Sequence, residues 1–349
     1  MDALAATLAR SPELFPHNWD LQTDTVTLVR LTRADYEAAS FLDERALKPH
    51  SLTRGVPYGQ LADAVSAGGL AERGHVIFHI GHVGSTLLSR LLGTDGRLFA
   101  LREPAVLRTL ARLEIDPGLL PRTWRAGEFD DRLAVFLKLL SRTFEPGQTA
   151  LIKATSFVSE LAPQWLARPS QPKALLLFVR PETYMATILA APNARAEAKT
   201  LTEERLKRFN RRAGREIWRP SSLNEWEALA AAWATEMSAL LQAKRAGGAR
   251  AMPLDFDGFL ARPDETLAAA FHHFDCDVTA DRVAQILAGP HMQRYSKAPE
   301  HAYTPELRRE ILDETRKAHA SEIEKALAWL ERQADKLPML QECLHMAGV

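Results

Sequence analysis

A three-layer α/β fold is predicted: a parallel sheet flanked by helices, carrying a helical insertion. Three observations predict it. From residue 75 onward, apolar runs rich in Val, Ile and Leu alternate with amphipathic stretches of helical length. Most of these runs are continuously apolar, as strands buried on both faces are. Glycines and prolines fall between the two kinds of segment, where strand and helix exchange. The chain has 349 residues and 46% hydrophobic content, enough for a sizeable core.

Taken in order, residues 1–73 mix short helical and extended signals and read as an N-terminal α/β extension packed on the core. Within it, DTVTLVRLT (24–32) alternates and is β-branched, so it reads as a strand, while 34–48 and 59–68 read as helices. Gly55, Pro57 and the pair Gly68-Gly69 mark loops. Residues 74–349 form the main domain. HVIFHI (75–80), RLFALRE (97–103), TALIKAT (149–155), KALLLFVR (173–180) and the start of RAMPLDFDGF (250–259) are its five strands. STLLSRLL (85–92), AVLRTLARLE (105–114) and DRLAVFLKLLSRTF (131–144) have helical spacing. A helical insertion at about 190–248 holds a charged, basic stretch (192–220) and a long amphipathic helix (223–247). PDETLAAAFHHF (263–274) opens with a proline and an acidic first turn, as helix starts do. A loop at 289–305 precedes a terminal helix pair.

Charge balance narrows the function classes. Lysine plus arginine and aspartate plus glutamate number 44 each, so no global excess points to nucleic acid or an anionic membrane. Any anion site must be local. Cys276 and Cys343 fit no zinc spacing and read as free thiols in a reducing compartment. No apolar stretch reaches the ~18 residues of a membrane span, and the N-terminus shows no secretory pattern. A cytoplasmic protein is expected.

The stretch HVIFHIGHVGSTLLSRLLG (75–93) carries the clearest chemical signal. A strand runs into a turn at Gly81, His82, Val83 and Gly84, and a helix leaves it at Ser85 and Thr86. Such a turn aims backbone N–H groups and the positive helix end at one point, which suits a phosphate. The ATPase loop G-x-x-x-x-G-K-[ST] places a lysine before the hydroxyl residue; here Gly84 meets Ser85 directly. That lysine reaches the outer phosphates, so its absence argues against ATP or GTP hydrolysis.

Across roughly residues 75–300 the chain resembles, distantly, the P-loop-type sulfotransferase family, bacterial and tyrosylprotein-like members included. These use 3′-phosphoadenosine-5′-phosphosulfate (PAPS). Family members often read G-x-P-R-S-G-[ST]-T-L-L in the first loop; Gly84, Ser85, Thr86, Leu87 and Leu88 match, and His82 falls where the family carries arginine or lysine. In LLLFVRPETYMATIL (175–189), Arg180 matches the strand-end arginine that holds the 3′-phosphate. Thr187 matches its serine partner one residue early, with Thr183 as the competitor. LDFDGFLARPDETLAAAFHHF (254–274) is similar to a scaffold segment of the family, with Asp257 and Pro263 matching in type. Arg294, Ser296 and Lys297 match by position a late basic loop that returns over the nucleotide.

Sulfuryl transfer requires a base for the acceptor hydroxyl and cations around the transferred and leaving groups. The resemblance implies Glu103 as base, by its spacing from His82; a surface carboxylate capping the next helix is the alternative. Lys153, closing the third strand, is the expected cation, and reaching out to solvent is the other possibility. His82 would donate to the leaving group, or its lack of a permanent charge marks a protein that binds without transferring. Trp233 reads as core or as an adenine stacker, with core favoured. His75 and His79 read as packing residues, and the basic stretch with Arg205, Lys207, Arg208, Arg211 and Arg212 as a solvated helix face, a gate for the acceptor or a binding face for an acidic acceptor. No metal is required. The expected function is sulfuryl transfer from PAPS to a hydroxyl acceptor. A non-catalytic nucleotide-binding protein and a P-loop kinase or phosphotransferase are the alternatives.

Overall fold

The computed structural model describes residues 3–48, 51–121, 123–296, 300 and 302–349. Its centre is a five-stranded parallel sheet flanked by helices. The strands are β4 (His75–His79), β5 (Leu98–Arg102), β6 (Thr149–Lys153), β7 (Ala174–Phe178) and β8 (Ala251–Asp255), in the spatial order β5-β6-β4-β7-β8. All five coincide with the apolar runs read from sequence. They are short and largely buried, because both faces lie against helices. Parallel pairing sets every strand's C-terminal end on one edge. In register, Arg102 stands beside Lys153, Lys153 beside Ile77, and His79 beside Leu177. Glu103, Ala154, Ile80, Val179 and Phe256 therefore leave the sheet on the same side. In parallel α/β sheets that edge is where ligands bind.

A second sheet lies N-terminal to the first. It is antiparallel, with β1 (Leu14–Asp20), β2 (Thr25–Arg30) and β3 (Thr53–Pro57) in that order. Only β2 is an expected strand. β1 contains Pro16, and β3 contains Gly55 and Pro57, which read as loop markers; both strands lie at sheet edges, where proline is tolerated. A bulge between Pro16 and Asn18 accommodates the first proline. The helix expected over 34–48 is shorter, Arg33–Ala38, followed by a single turn at Glu44–Ala46. This N-terminal segment is bonded to the main sheet: Leu42 N–H donates to Arg102 O at 2.6 Å, and Ala105 N–H donates to Leu42 O at 3.1 Å.

The insertion contains helices Pro192–Thr200, Thr202–Ala213 and Glu225–Gly247. The expected solvated basic face is a correction: Arg205, Arg208 and the Arg212 side chain are buried. They converge on two buried carboxylates, Glu160 and Glu236. Arg208 reaches Glu236 at 2.5 Å and Glu160 at 3.4 Å, and Arg205 reaches Glu236 at 3.2 Å. Arg211 reaches Glu160 at 2.8 Å, and Arg212 also pairs with it. Lys207 remains on the solvated face. Trp233 is a core residue, fully buried, with its indole N–H donating to Val179 O at 3.0 Å. The C-terminal region holds three helices where two were expected: Pro305–Ala318, Ala320–Ala334 and Pro338–Met346. No helix of the described residues is long and apolar enough to cross a membrane.

Candidate functional site

The loop leaving β4 is built from unusual backbone angles. Gly81, His82 and Gly84 have φ of +83°, +54° and +67°. Glycine takes such angles freely; histidine does so at a cost of order 1 kcal/mol. Gly84 is required for a second reason: a Cβ there would stand 2.0 Å from the Phe256 ring, which packs directly on the loop. The helix Ser85–Gly93 starts at this point. Its first-turn N–H groups have no partner within the helix. The Thr86 hydroxyl is buried and has no hydrogen-bond partner among the described residues.

His79 holds the loop against β6. Its Nδ1 accepts from Gly81 N–H at 2.9 Å, which leaves the proton on Nε2 to donate to Ala154 O at 2.8 Å. The expectation of a packing histidine is thus sharpened: one ring ties the loop to the strand that carries Lys153. Ser156 lies beside Gly81 on the same side.

A cavity of 420 Å³ opens onto this loop. His82, Val83, Gly84, Ser85 and Thr86 line it, together with Thr187, Arg294 and Ser296. The cavity thus brings together eight of the residues singled out from sequence. Thr183 is not in its wall; its hydroxyl accepts from Arg316 at 3.1 Å. Lys297 lies outside the described residues. Sequence reasoning missed Arg308, His291, Phe256, Tyr295 and Tyr303, which also line it. No Asp or Glu lines the cavity among the described residues, whereas two arginines and two histidines do. Arg308 pairs with Asp257 at 2.9 Å and lies 5.3 Å from the Phe256 ring centroid. Burial, reinforced by Arg90 and Arg102, holds His291 below the usual imidazole range.

Two buried arginines hold the N-terminal segment, and one of them, Arg90, also reaches the cavity wall at Ser296. Arg90 donates to Ser296 O at 3.1 Å, to Glu37 O at 3.1 Å and to Ser40 Oγ at 3.0 Å. Arg102 donates to Ala39 O at 2.7 Å and also to Tyr36 O. Burial pushes the Arg102 guanidinium down to about 9, with Arg90 adding to the effect. Both bond main-chain carbonyls at the C-terminal end of the helix Arg33–Ala38, the negative end of its dipole.

Glu103 and Lys153 form a separate group and do not line the cavity. Glu103 is not a surface carboxylate and Lys153 does not reach solvent: both are buried. The Lys153 ammonium donates to Glu103 Oε1, and the Thr155 hydroxyl donates to Oε2 at 3.2 Å. Arg108 lies 3.5 Å from the same oxygen and 2.7 Å from Asp43. Arg180 belongs to neither group. It is exposed, and its guanidinium lies near Gly348. Gly81 is not among the lining residues; its N–H is held by His79, and Ser156 lies beside it.

No family model and no curated protein matches the chain. Among solved structures, it is similar to the sulfotransferase domain from the curacin biosynthetic pathway, with 14% identity, a TM-score of 0.43, and coverage of 74% of this chain and 97% of that one. It is similar to a sulfotransferase from Alicyclobacillus acidocaldarius, with 14% identity, a TM-score of 0.38, and coverage of 79% and 96%. It is also similar to the sulfotransferase domain of the Synechococcus PCC 7002 olefin synthase, with 14% identity, a TM-score of 0.38, and coverage of 71% and 94%.

Proposed function

We propose that this chain transfers a sulfuryl group from PAPS to a hydroxyl acceptor. The observation that carries the reading is the cavity: it joins a phosphate-type loop to a wall with cationic and aromatic side chains and no carboxylate among the described residues. Such a wall suits an anionic nucleotide, since the rings take a planar base and the cations take phosphate charge. The residues present fit that ligand. The loop N–H groups and the orphan Thr86 hydroxyl hold the 5′-phosphosulfate end; Arg294, Ser296 and Thr187 hold the 3′-phosphate. Arg308 takes the place expected of Arg180 as the second guanidinium in the cavity.

In this reading the acceptor oxygen attacks sulfur, and the bond from sulfur to the 5′-phosphate oxygen breaks with its electron pair left on the phosphate. Glu103 takes the acceptor's proton. Lys153 and His82 offset the negative charge that moves to the leaving group. The acceptor is a phenol, sugar, lipid or peptide hydroxyl.

Titration calorimetry with adenosine 3′,5′-bisphosphate against ATP plus magnesium tests the reading. Tighter binding of the bisphosphate is expected; preference for ATP with magnesium would overturn it. One observation favours a second reading, binding without transfer: the Glu103 carboxylate is already engaged by Lys153, Thr155 and Arg108. Transfer of labelled sulfate to any member of an acceptor panel would exclude that alternative.

A further inference from the structure

The geometry points to Glu197 as the positioning residue for His82, so that an imidazole–carboxylate pair stands in the loop where the family carries a permanent cation. The inference rests on the proposed use of the cavity for its functional consequence, and on geometry alone for the pair itself. His82 Nε2 lies 3.4 Å from Glu197 Oε2. The His82 side chain is 24% exposed and lines the cavity, while that of Glu197 is 55% exposed, outside it. Glu197 comes from the insertion helix Pro192–Thr200, which follows Ala190 and Ala191 of the cavity wall. That helix is held in place: Arg195 pairs with Glu225 at 2.7 Å and lies 5.5 Å from the Trp226 ring centroid, both on the long helix Glu225–Gly247. The carboxylate is thus presented to the loop by a helix packed on Glu225–Gly247.

A carboxylate on one ring nitrogen of a histidine decides where the proton sits and how the ring turns. With Glu197 beside Nε2, the neutral ring carries its proton there, and Nδ1 is the nitrogen that takes the second proton and donates it toward an anionic ligand, as the role given to His82 requires. Among the described residues, the other charged or titratable side chains of the cavity wall are Arg294, Arg308, His291, Tyr295 and Tyr303. None of them is a carboxylate, so the described wall offers no rival to Glu197 for this role.

Two measurements test the pair. Long-range ¹H–¹⁵N spectra of histidine-labelled protein read the His82 tautomer without any ligand. The Nε2–H form is expected in the wild-type chain, a tautomer mixture in Glu197→Ala, and near wild-type signals in Glu197→Gln, which keeps an acceptor oxygen. Sulfuryl transfer is then measured in a cycle. Glu197→Ala is expected to lower kcat about tenfold, the scale of lost second-sphere support, with little change in KM for the nucleotide. In a His82→Arg background, whose cation needs no orienting, the same change should cost less than about twofold. Unchanged His82 signals in Glu197→Ala would overturn the inference, as would an equal loss of kcat in both backgrounds. A wild-type chain that binds no bisphosphate nucleotide would defeat the proposed function instead, while the ring signals would still decide the pair.

Discussion

Thr86 shows at the scale of one residue how a binding site differs from ordinary structure. Its hydroxyl is buried in the first turn after the loop and bonds nothing in the described residues. An unmet buried hydroxyl costs stability, and a bound anion would meet it. Thr86→Val should therefore leave the free protein as stable or more so, within about 1 kcal/mol, while weakening adenosine 3′,5′-bisphosphate binding roughly tenfold to a hundredfold. Urea unfolding and calorimetry on the same variant check both parts. A variant that loses stability and keeps affinity would make Thr86 a packing residue. Loop residues of this kind were legible in sequence because Gly81, Gly84, Ser85 and Thr86 are neighbours in the chain. Arg308 and His291 were not, because the chain returns to the cavity some two hundred residues later.

At the scale of elements, buried charge ties the helices of the insertion to one another through Glu236 and to the core through Glu160. Burial opposes ionisation of Glu236, and Arg208 and Arg205 overcome it, holding the carboxyl below the usual range. Glu236→Ala would leave both guanidiniums without their shared acceptor. Breaking a buried pair from one side costs about 3–5 kcal/mol, so the variant should be destabilised by that order, read from the shift in urea midpoint. A change under about 1 kcal/mol would mean that the cluster is solvated in solution. Sequence periodicity showed the helices here but not their burial. A helix rich in Arg and Glu reads as a surface until the partner carboxylates, on Ser156–Leu161 and Glu225–Gly247, are seen to face it.

At the scale of the whole molecule, the N-terminal segment is bonded into the parallel sheet. Arg90 and Arg102 are buried and take their acceptors from the carbonyls of residues 36–39. Removing residues 1–73 would strip Arg102 of its acceptors in residues 36–39 and leave Arg90 only Ser296 O, so residues 74–349 alone should fail to fold cooperatively; circular dichroism and urea unfolding of the fragment provide the check, and a sharp native-like transition would refute it. Acid sensitivity is also a property of the whole fold. Burial, with Lys173 adding to it and Asp275 opposing, holds His75 at about 4. The ring is stacked on Phe274 with centroids 5.2 Å apart. The unfolded chain binds a proton there below about pH 6.5, and the native state does not until about pH 4. Stability is therefore full above pH 6.5 and falls as the pH drops toward 4, by on the order of 2–3 kcal/mol from this group. Urea midpoints between pH 7.5 and 4.5 should fall less steeply in His75→Asn; equal slopes would assign the effect elsewhere.

By itself, the sequence determined the five parallel strands and the loop after the first of them. Both are local patterns: a continuous apolar run reports burial on two faces, and glycines beside a helix start report an anion-binding turn. The edge strands with Pro16 and Pro57 escaped it, because whether a proline breaks a strand depends on which neighbour needs its missing N–H. Only the tertiary structure decided which candidates meet. It set Arg294 and Arg308 in the cavity and left Arg180 at the surface. It closed Lys153 onto Glu103 and brought Glu197 to His82. Each of these contacts joins residues far apart in the chain, and their distance is set by strand order and helix packing, which no local run of side chains encodes.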